Sequence, residues 1–167
     1  NYDFSHILLL NESRTELNCM MACDANGEIV TALINEKLSF NQDSATKWVI
    51  TNLQSLMLQD AQSDERHYQT PLLPTIGSEL VLLLQAANEV LGVLIVQCLE
   101  KDAFTIDDVD VMQSISDQLA IAIYNVSLFT QLRERLADMN AMTEVSLLVQ
   151  GAFDFDGLIL RMYDAMR

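Results

Sequence analysis

The chain has 167 residues, half of them apolar, which suits one ordinary domain whose core needs neither disulfides nor metal. Its 24 acidic residues against 9 basic ones give a formal charge of -15, a field that repels nucleic-acid phosphates and anionic lipid headgroups alike. Nucleic acid and direct membrane contact are therefore not expected of it.

The first element is the apolar run 4–10, too short for a helix; turn chemistry at Asn11-Glu12-Ser13-Arg14 and a second run, Leu17 to Cys23, complete a predicted β-hairpin. Residues 24–78 are mixed. They hold a turn at Asp24-Ala25-Asn26-Gly27, a helix around Asp43 to Thr51 with Asp43 as N-cap, and a short strand Leu56-Met57-Leu58. A polar loop from Gln59 to Tyr68 follows, and Pro71 and Pro74 end any regular element beyond it. The strongest hairpin joins Glu79–Ala86 to Val90–Cys98 through Ala87-Asn88-Glu89, and its continuous Val/Ile/Leu content predicts central strands covered on both faces. Thr105-Ile106-Asp107-Asp108 combines an N-cap threonine with acids in the first turn, so a long helix is predicted from Ile106. These acids read as dipole-complementing caps rather than metal ligands.

Along that helix Ile115, Leu119, Ala122, Val126 and Phe129 step by four and three, a heptad stripe that shifts register and resumes through Leu132, Leu136 and Met139. Such a length outruns one core and predicts a dimer seam. Gly151 interrupts the pattern, and Asp154-Phe155-Asp156-Gly157-Leu158-Ile159 is expected to restart a helix running to Arg167. The expected organisation is a sensory domain at 1–127, a connecting coiled-coil helix at 128–150 and the start of a further domain at 151–167. With no initiator Met and a helix at its end, the sequence reads as a piece of a longer protein.

The order strand, strand, helix, short strand, loop, hairpin, long helix over residues 4–140 resembles the GAF domain family. The resemblance is carried by Gly77-Ser78-Glu79-Leu80, Asn88-Glu89-Val90-Leu91-Gly92-Val93-Leu94, Phe104-Thr105-Ile106-Asp107-Asp108 and Asp117-Gln118-Leu119-Ala120-Ile121-Ala122-Ile123, in order. Trp48-Val49-Ile50-Thr51-Asn52 and Leu56-Met57-Leu58-Gln59-Asp60 are similar to the family's middle helix and third strand. The helix that usually precedes the first strand is absent or truncated. A cyclic-nucleotide phosphodiesterase motif is matched only by Lys101, Phe104 and Asp108, with Val109 where Glu is expected, so a cyclic nucleotide is not supported. The resemblance implies an α/β (α+β) fold: an antiparallel sheet of five or six strands, the long helix on one face, and residues 24–78 over the other with a pocket beneath.

It further implies a non-catalytic sensor of a signalling protein, of the two-component or cyclic-nucleotide kind. The expected partners are an unidentified small molecule, a second copy joined through the long helix, and a covalently linked output domain. For the ligand, the expected residues are Trp48 as a stacking wall, Arg66 as an anion clamp, and Asp60, His67, Tyr68, Ser78 and Glu79 as polar contacts; Phe129, Leu132, Leu136 and Met139 would form the dimer seam. Trp48 as plain core stays open, as does an empty structural dimerisation module in place of a sensor.

Catalysis finds little support. Relatives that reduce free methionine sulfoxide place cysteines in the loop over the pocket, and residues 59–78 contain none. Cys19 and Cys23, four apart on a strand, are expected on one face about 13 Å apart at ~3.3 Å per residue, too far for a disulfide. Cys98 lacks the histidine neighbour of bilin-carrying relatives. His6 reads as a core or edge histidine, and two histidines assemble no metal-ligand spacing. No cofactor is evident. Three unpaired cysteines, no signal peptide and no membrane-length apolar run fit the cytoplasm.

Overall fold

A computed structural model describes the backbone of residues 2–34, 36–39 and 44–165, and the side chains within these up to Met139 except Ser39 and Asp138. The chain divides into two compact units, Asn1–Tyr124 and Asn125–Arg167.

The first unit is built on a six-stranded antiparallel sheet of order β3-β2-β1-β6-β5-β4. Its strands are β1 (Phe4–Leu10), β2 (Glu16–Asp24), β3 (Lys37–Ser39), β4 (Leu56–Leu58), β5 (Ser78–Ala86) and β6 (Glu89–Cys98). The β1–β2 turn closes on the Asn11 side chain, whose Oδ1 accepts from the Thr15 and Glu16 amides at 2.9 and 3.2 Å. The β5–β6 turn is tighter than the three residues expected. Ala87 and Asn88 alone form it, at φ 49° and 64°, the pair of left-handed residues that a two-residue hairpin loop needs.

β1 lies between β2 and β6, so His6 pairs with Ala22 on one side and Ile95 on the other. Gly92 is required there: a Cβ at that position would run into the Leu8 carbonyl oxygen. The β1–β2 register shifts between Ile7 and Leu8, where Ile7 opposes Met21 but Leu8 opposes Cys19. Met20 is the extra residue of this bulge, and it reverses which side of β2 faces which layer. Cys19 thus packs with the layer over one face while Cys23 turns to the other, which corrects the expectation that they share a face.

Both faces of the central strands are buried, as their unbroken apolar runs require. Val81, Leu83, Val93 and Ile95 join Leu8, Leu17, Leu33, Val49 and Leu58 in one core. Leu80, Leu82, Leu84, Leu94 and Val96 join Phe104 and Ala120 in the other. Each such buried Leu, Val or Ile contributes about 1.5–3 kcal/mol relative to exposure, so the pattern fixes the register.

The first core is roofed by non-strand segments that supply Leu33, Ala45, Val49 and Leu73. Within them α1 (Ala45–Asn52) turns Ala45, Thr46 and Val49 inward and ends on Leu53 in the left-handed conformation. Its N-cap is Ser44, whose Oγ accepts from the Lys47 amide at 3.2 Å; Asp43, expected in that role, lies outside the described residues.

The second core is covered by the first turns of α2 (Ile106–Ala165). Thr105 and Asp108 cap it reciprocally: the Asp108 amide donates to Thr105 Oγ1 at 3.2 Å and the Thr105 amide to Asp108 Oδ2 at 2.9 Å. Val109, Met112, Leu119, Ala120 and Ile123 face the sheet, and Ser116 Oγ donates to the Leu83 carbonyl at 3.0 Å. α2 runs through Gly151 without a break, since one helical glycine costs only about 1 kcal/mol against alanine. The expected restart at 154–159 is thus absent from the backbone. In the second unit Val126, Phe129, Leu132, Leu136 and Met139 are all exposed. Among the described residues no helix is long and apolar enough to cross a membrane.

Candidate functional site

A cavity of about 60 Å³ lies between the sheet and the roof over its first core. Period-two alternation aims His6 and Leu8 of β1, Cys19 of β2, Glu79 of β5 and Ile95 and Gln97 of β6 into it from below. Leu38 of the edge strand β3 joins them from the sheet, and from above come Leu33, Glu36, Ser44, Ala45, Thr46, Arg66, Tyr68, Thr70 and Leu73. The walls are therefore largely aliphatic with a few convergent polar groups, the usual make-up of a small-molecule site.

Two of those polar side chains each carry an unpaired atom. His6 and Gln97 are 7% and 6% exposed, and His6 Nε2 and Gln97 Oε1 form no hydrogen bond among the described residues. A buried polar atom left unpaired costs about 1–3 kcal/mol, and both of these belong to residues of the cavity wall. Burial pushes the His6 imidazole below its ordinary value of 6.5, against the opposing pull of the Glu79 carboxylate and the Gln97 amide.

Behind this wall Glu79 Oε2 lies 2.6 Å from His67 Nδ1 and accepts from Gln97 Nε2 at 3.3 Å. The hydrogen bond to Glu79 raises the pKa of His67 above 6.5 in spite of its burial. Arg66 reaches the cavity wall, but its Nε and Nη2 donate to Asp64 Oδ1 and Oδ2 at 2.8 and 2.6 Å. That fork holds the Asp64 carboxyl at about 2.

Of the residues expected at the site, Arg66, Tyr68 and Glu79 line the cavity, and His67 backs it through Glu79. Trp48, Asp60 and Ser78 lie elsewhere. Trp48 is half-buried and packs against the first core rather than lining the cavity, with the Arg66 guanidinium carbon 5.5 Å from its ring centre. Asp60 accepts from Lys101 Nζ at 2.6 Å and from Ser63 Oγ at 2.8 Å. Ser78, fully buried, donates to the Glu100 carbonyl at 2.8 Å.

Sequence reasoning missed Gln97, Glu36 and Thr70 and read His6 as a core or edge histidine. Gln97 carried a readable signal, as the single polar side chain in the otherwise apolar stretch Val90–Cys98. Glu36 and Thr70 carried none, since only the fold brings them within 3.4 Å.

The thiols are separated. Cys19 lines the cavity, Cys23 a groove on the opposite face beside α2, and Cys98 is buried in the second core. Burial raises the pKa of Cys19 and Cys98. Among the described residues no three or more His, Cys, Asp or Glu side chains gather as metal ligands.

Comparison with solved structures matches this fold widely. The GAF domain of an Acinetobacter phosphoenolpyruvate-protein phosphotransferase aligns with TM-score 0.65 and 20% identity, over 76% of this chain and 74% of its own. The GAF domain of a two-component sensor histidine kinase from Bacillus halodurans aligns with TM-score 0.60 and 19% identity, over 77% and 86%. A type II free methionine-R-sulfoxide reductase from Thermoplasma acidophilum aligns with TM-score 0.61 and 18% identity, over 74% and 80%. No curated protein matches the chain. A family model described as GAF domain matches residues 1–123, and with the six-stranded sheet and its helical layers it establishes that this chain belongs to the GAF domain family, a common sensory and regulatory fold.

Proposed function

We propose that this GAF domain is a non-catalytic sensor that binds a small molecule between its sheet and its roof. The observation that carries the reading is the pair of buried, unpartnered atoms, His6 Nε2 and Gln97 Oε1, at the wall of one cavity. Bound ligand would satisfy both and thereby gain the free energy they lack in the empty protein. Tyr68, Arg66, Glu79 and Thr70 would complete the contacts, with His67 holding Glu79 in place.

Relay is assigned to α2. It packs against β5, which also supplies Glu79 to the cavity, so a change in the roof or in β5 reaches the helix through one strand. Ligand must bind two arrangements with different affinity, because equal binding shifts no population. A dimer through Phe129, Leu132, Leu136 and Met139 would carry the shift to a linked output domain in the cytoplasm.

Sulfoxide reduction needs an activated thiolate and a resolving partner at the substrate. Cys19 is the one cavity thiol among the described residues, and burial disfavours its thiolate. Native mass spectrometry of purified protein, followed by denaturing release, tests the sensor reading. A co-purified small molecule released from a dimer supports it; an empty dimer that no compound library stabilises overturns it in favour of a structural dimerisation module.

A further inference from the structure

The charges around the cavity are unequal. Arg66, its cationic wall residue, is engaged on two nitrogens by Asp64, and Glu79 is engaged by His67. Glu36 remains: among the described residues its side chain has one hydrogen bond, accepted from the neutral Thr70 hydroxyl at 3.4 Å, and no cationic partner. Its charge also reaches Cys19, where it disfavours the thiolate. Independently of Glu36, Gln97 Oε1 is a buried acceptor that forms no hydrogen bond within 3.5 Å among the described residues, with the His6 imidazole, whose charged form burial disfavours, beside it. Leu8, Leu33, Leu38, Leu73 and Ile95 supply an aliphatic surround.

We infer that the ligand of this cavity is a small organic cation, an ammonium on a short aliphatic body, whose N–H groups are received by Gln97 Oε1 and the Glu36 carboxylate. The inference rests on the reading of the cavity as a ligand site and adds the sign of its ligand. An anion would meet an uncompensated carboxylate and an acceptor with no proton to give. The cationic head satisfies both, and the formal charge of -15 on the whole chain favours its approach. The volume of about 60 Å³ suits a molecule of a few heavy atoms.

Three probes of one branched shape test this: isobutylammonium, isobutyramide and isobutyrate, titrated into the full chain while the backbone amides of Cys19, Thr70 and Gln97 are followed by NMR. Isobutylammonium is expected to shift these amides saturably and to bind about ten-fold or more tighter than the other two. Glu36→Gln is expected to erase that preference, isobutylammonium then binding no tighter than isobutyramide to the same variant, and the intact spectrum of the variant verifies its fold. Equal or tighter binding of isobutyrate or isobutyramide, or a cation preference that survives Glu36→Gln, overturns the inference and leaves the cavity as a ligand site. If none of the three shifts these amides, the inference falls, while the mass-spectrometric release described above decides separately whether the cavity is a ligand site.

Discussion

His67 Nδ1 and Glu79 Oε2 stand 2.6 Å apart with their side chains only 4% and 5% exposed, so a carboxylate that little water reaches favours the protonated imidazole. The raised His67 pKa contributes stability that is fully present below 6.5, the ordinary histidine value, and is lost as the pH rises through the folded value. His6 acts in the opposite window: its lowered pKa contributes stability present above 6.5 and lost as the pH falls toward the folded value. Denaturant midpoints are thus expected to peak near pH 6.5 with respect to these two groups. His67→Gln should cost about 1–2 kcal/mol near pH 6 and flatten the alkaline limb, as urea titrations across pH would reveal.

Gly92 sets the contact between β1 and β6. Gly92→Ala drives a methyl into the Leu8 carbonyl, a backbone atom that cannot swing aside, and should cost about 3 kcal/mol or more. Thermal melts by circular dichroism check this, and a variant that melts like the parent would contradict the strand pairing itself.

Removing the Thr105 hydroxyl takes away one half of the reciprocal cap at the start of α2. Thr105→Ala should lower stability by about 1 kcal/mol in urea unfolding, and Thr105→Ser should restore most of it.

Gln97→Met deletes the unpaired acceptor together with a long 3.3 Å hydrogen bond to Glu79. Stability of the ligand-free protein should stay within about 1 kcal/mol of the parent, since an apolar group of similar shape replaces a poorly satisfied one. Binding of any cavity ligand should weaken at least about ten-fold in calorimetric titration, the loss of one buried hydrogen bond to it.

Phe129 is 69% exposed and Leu132 54%. If these side chains form the seam between two copies, Phe129→Glu combined with Leu132→Glu should convert dimer to monomer in light scattering. Residues 1–124 should keep their far-ultraviolet spectrum and melting behaviour apart from the lost association term.

Element order was legible because periodicity reports burial: the apolar runs around Leu80 and Leu94 and the capping pattern at Thr105 state their layers directly. The site was less legible for three physical reasons. Polar loop residues have structural work of their own, so Ser78 is committed to the Glu100 carbonyl and Asp60 to Lys101. α1 turns Ala45, Thr46 and Val49 inward, which leaves Trp48 half-buried at the edge of the first core against Arg66 and off the cavity. His6 and Gln97 meet only because β1 inserts beside β6, a pairing across some ninety residues that no local pattern encodes. The Met20 bulge belongs to the same class, since one extra residue moved Cys23 away from Cys19 with no turn residue to announce it.

Over residues 79–84 of β5 and 93–97 of β6 odd and even positions belong to different cores, with Glu79, Val81, Leu83, Ile95 and Gln97 on one side and Leu80, Leu82, Leu94 and Val96 on the other. Substitutions of one parity share few neighbours with those of the other, so their effects on stability should come close to adding. A lineage could therefore change what the cavity accepts by drifting through one set of positions while the seat of α2 is inherited intact. The same sheet would then serve many chemistries with one output.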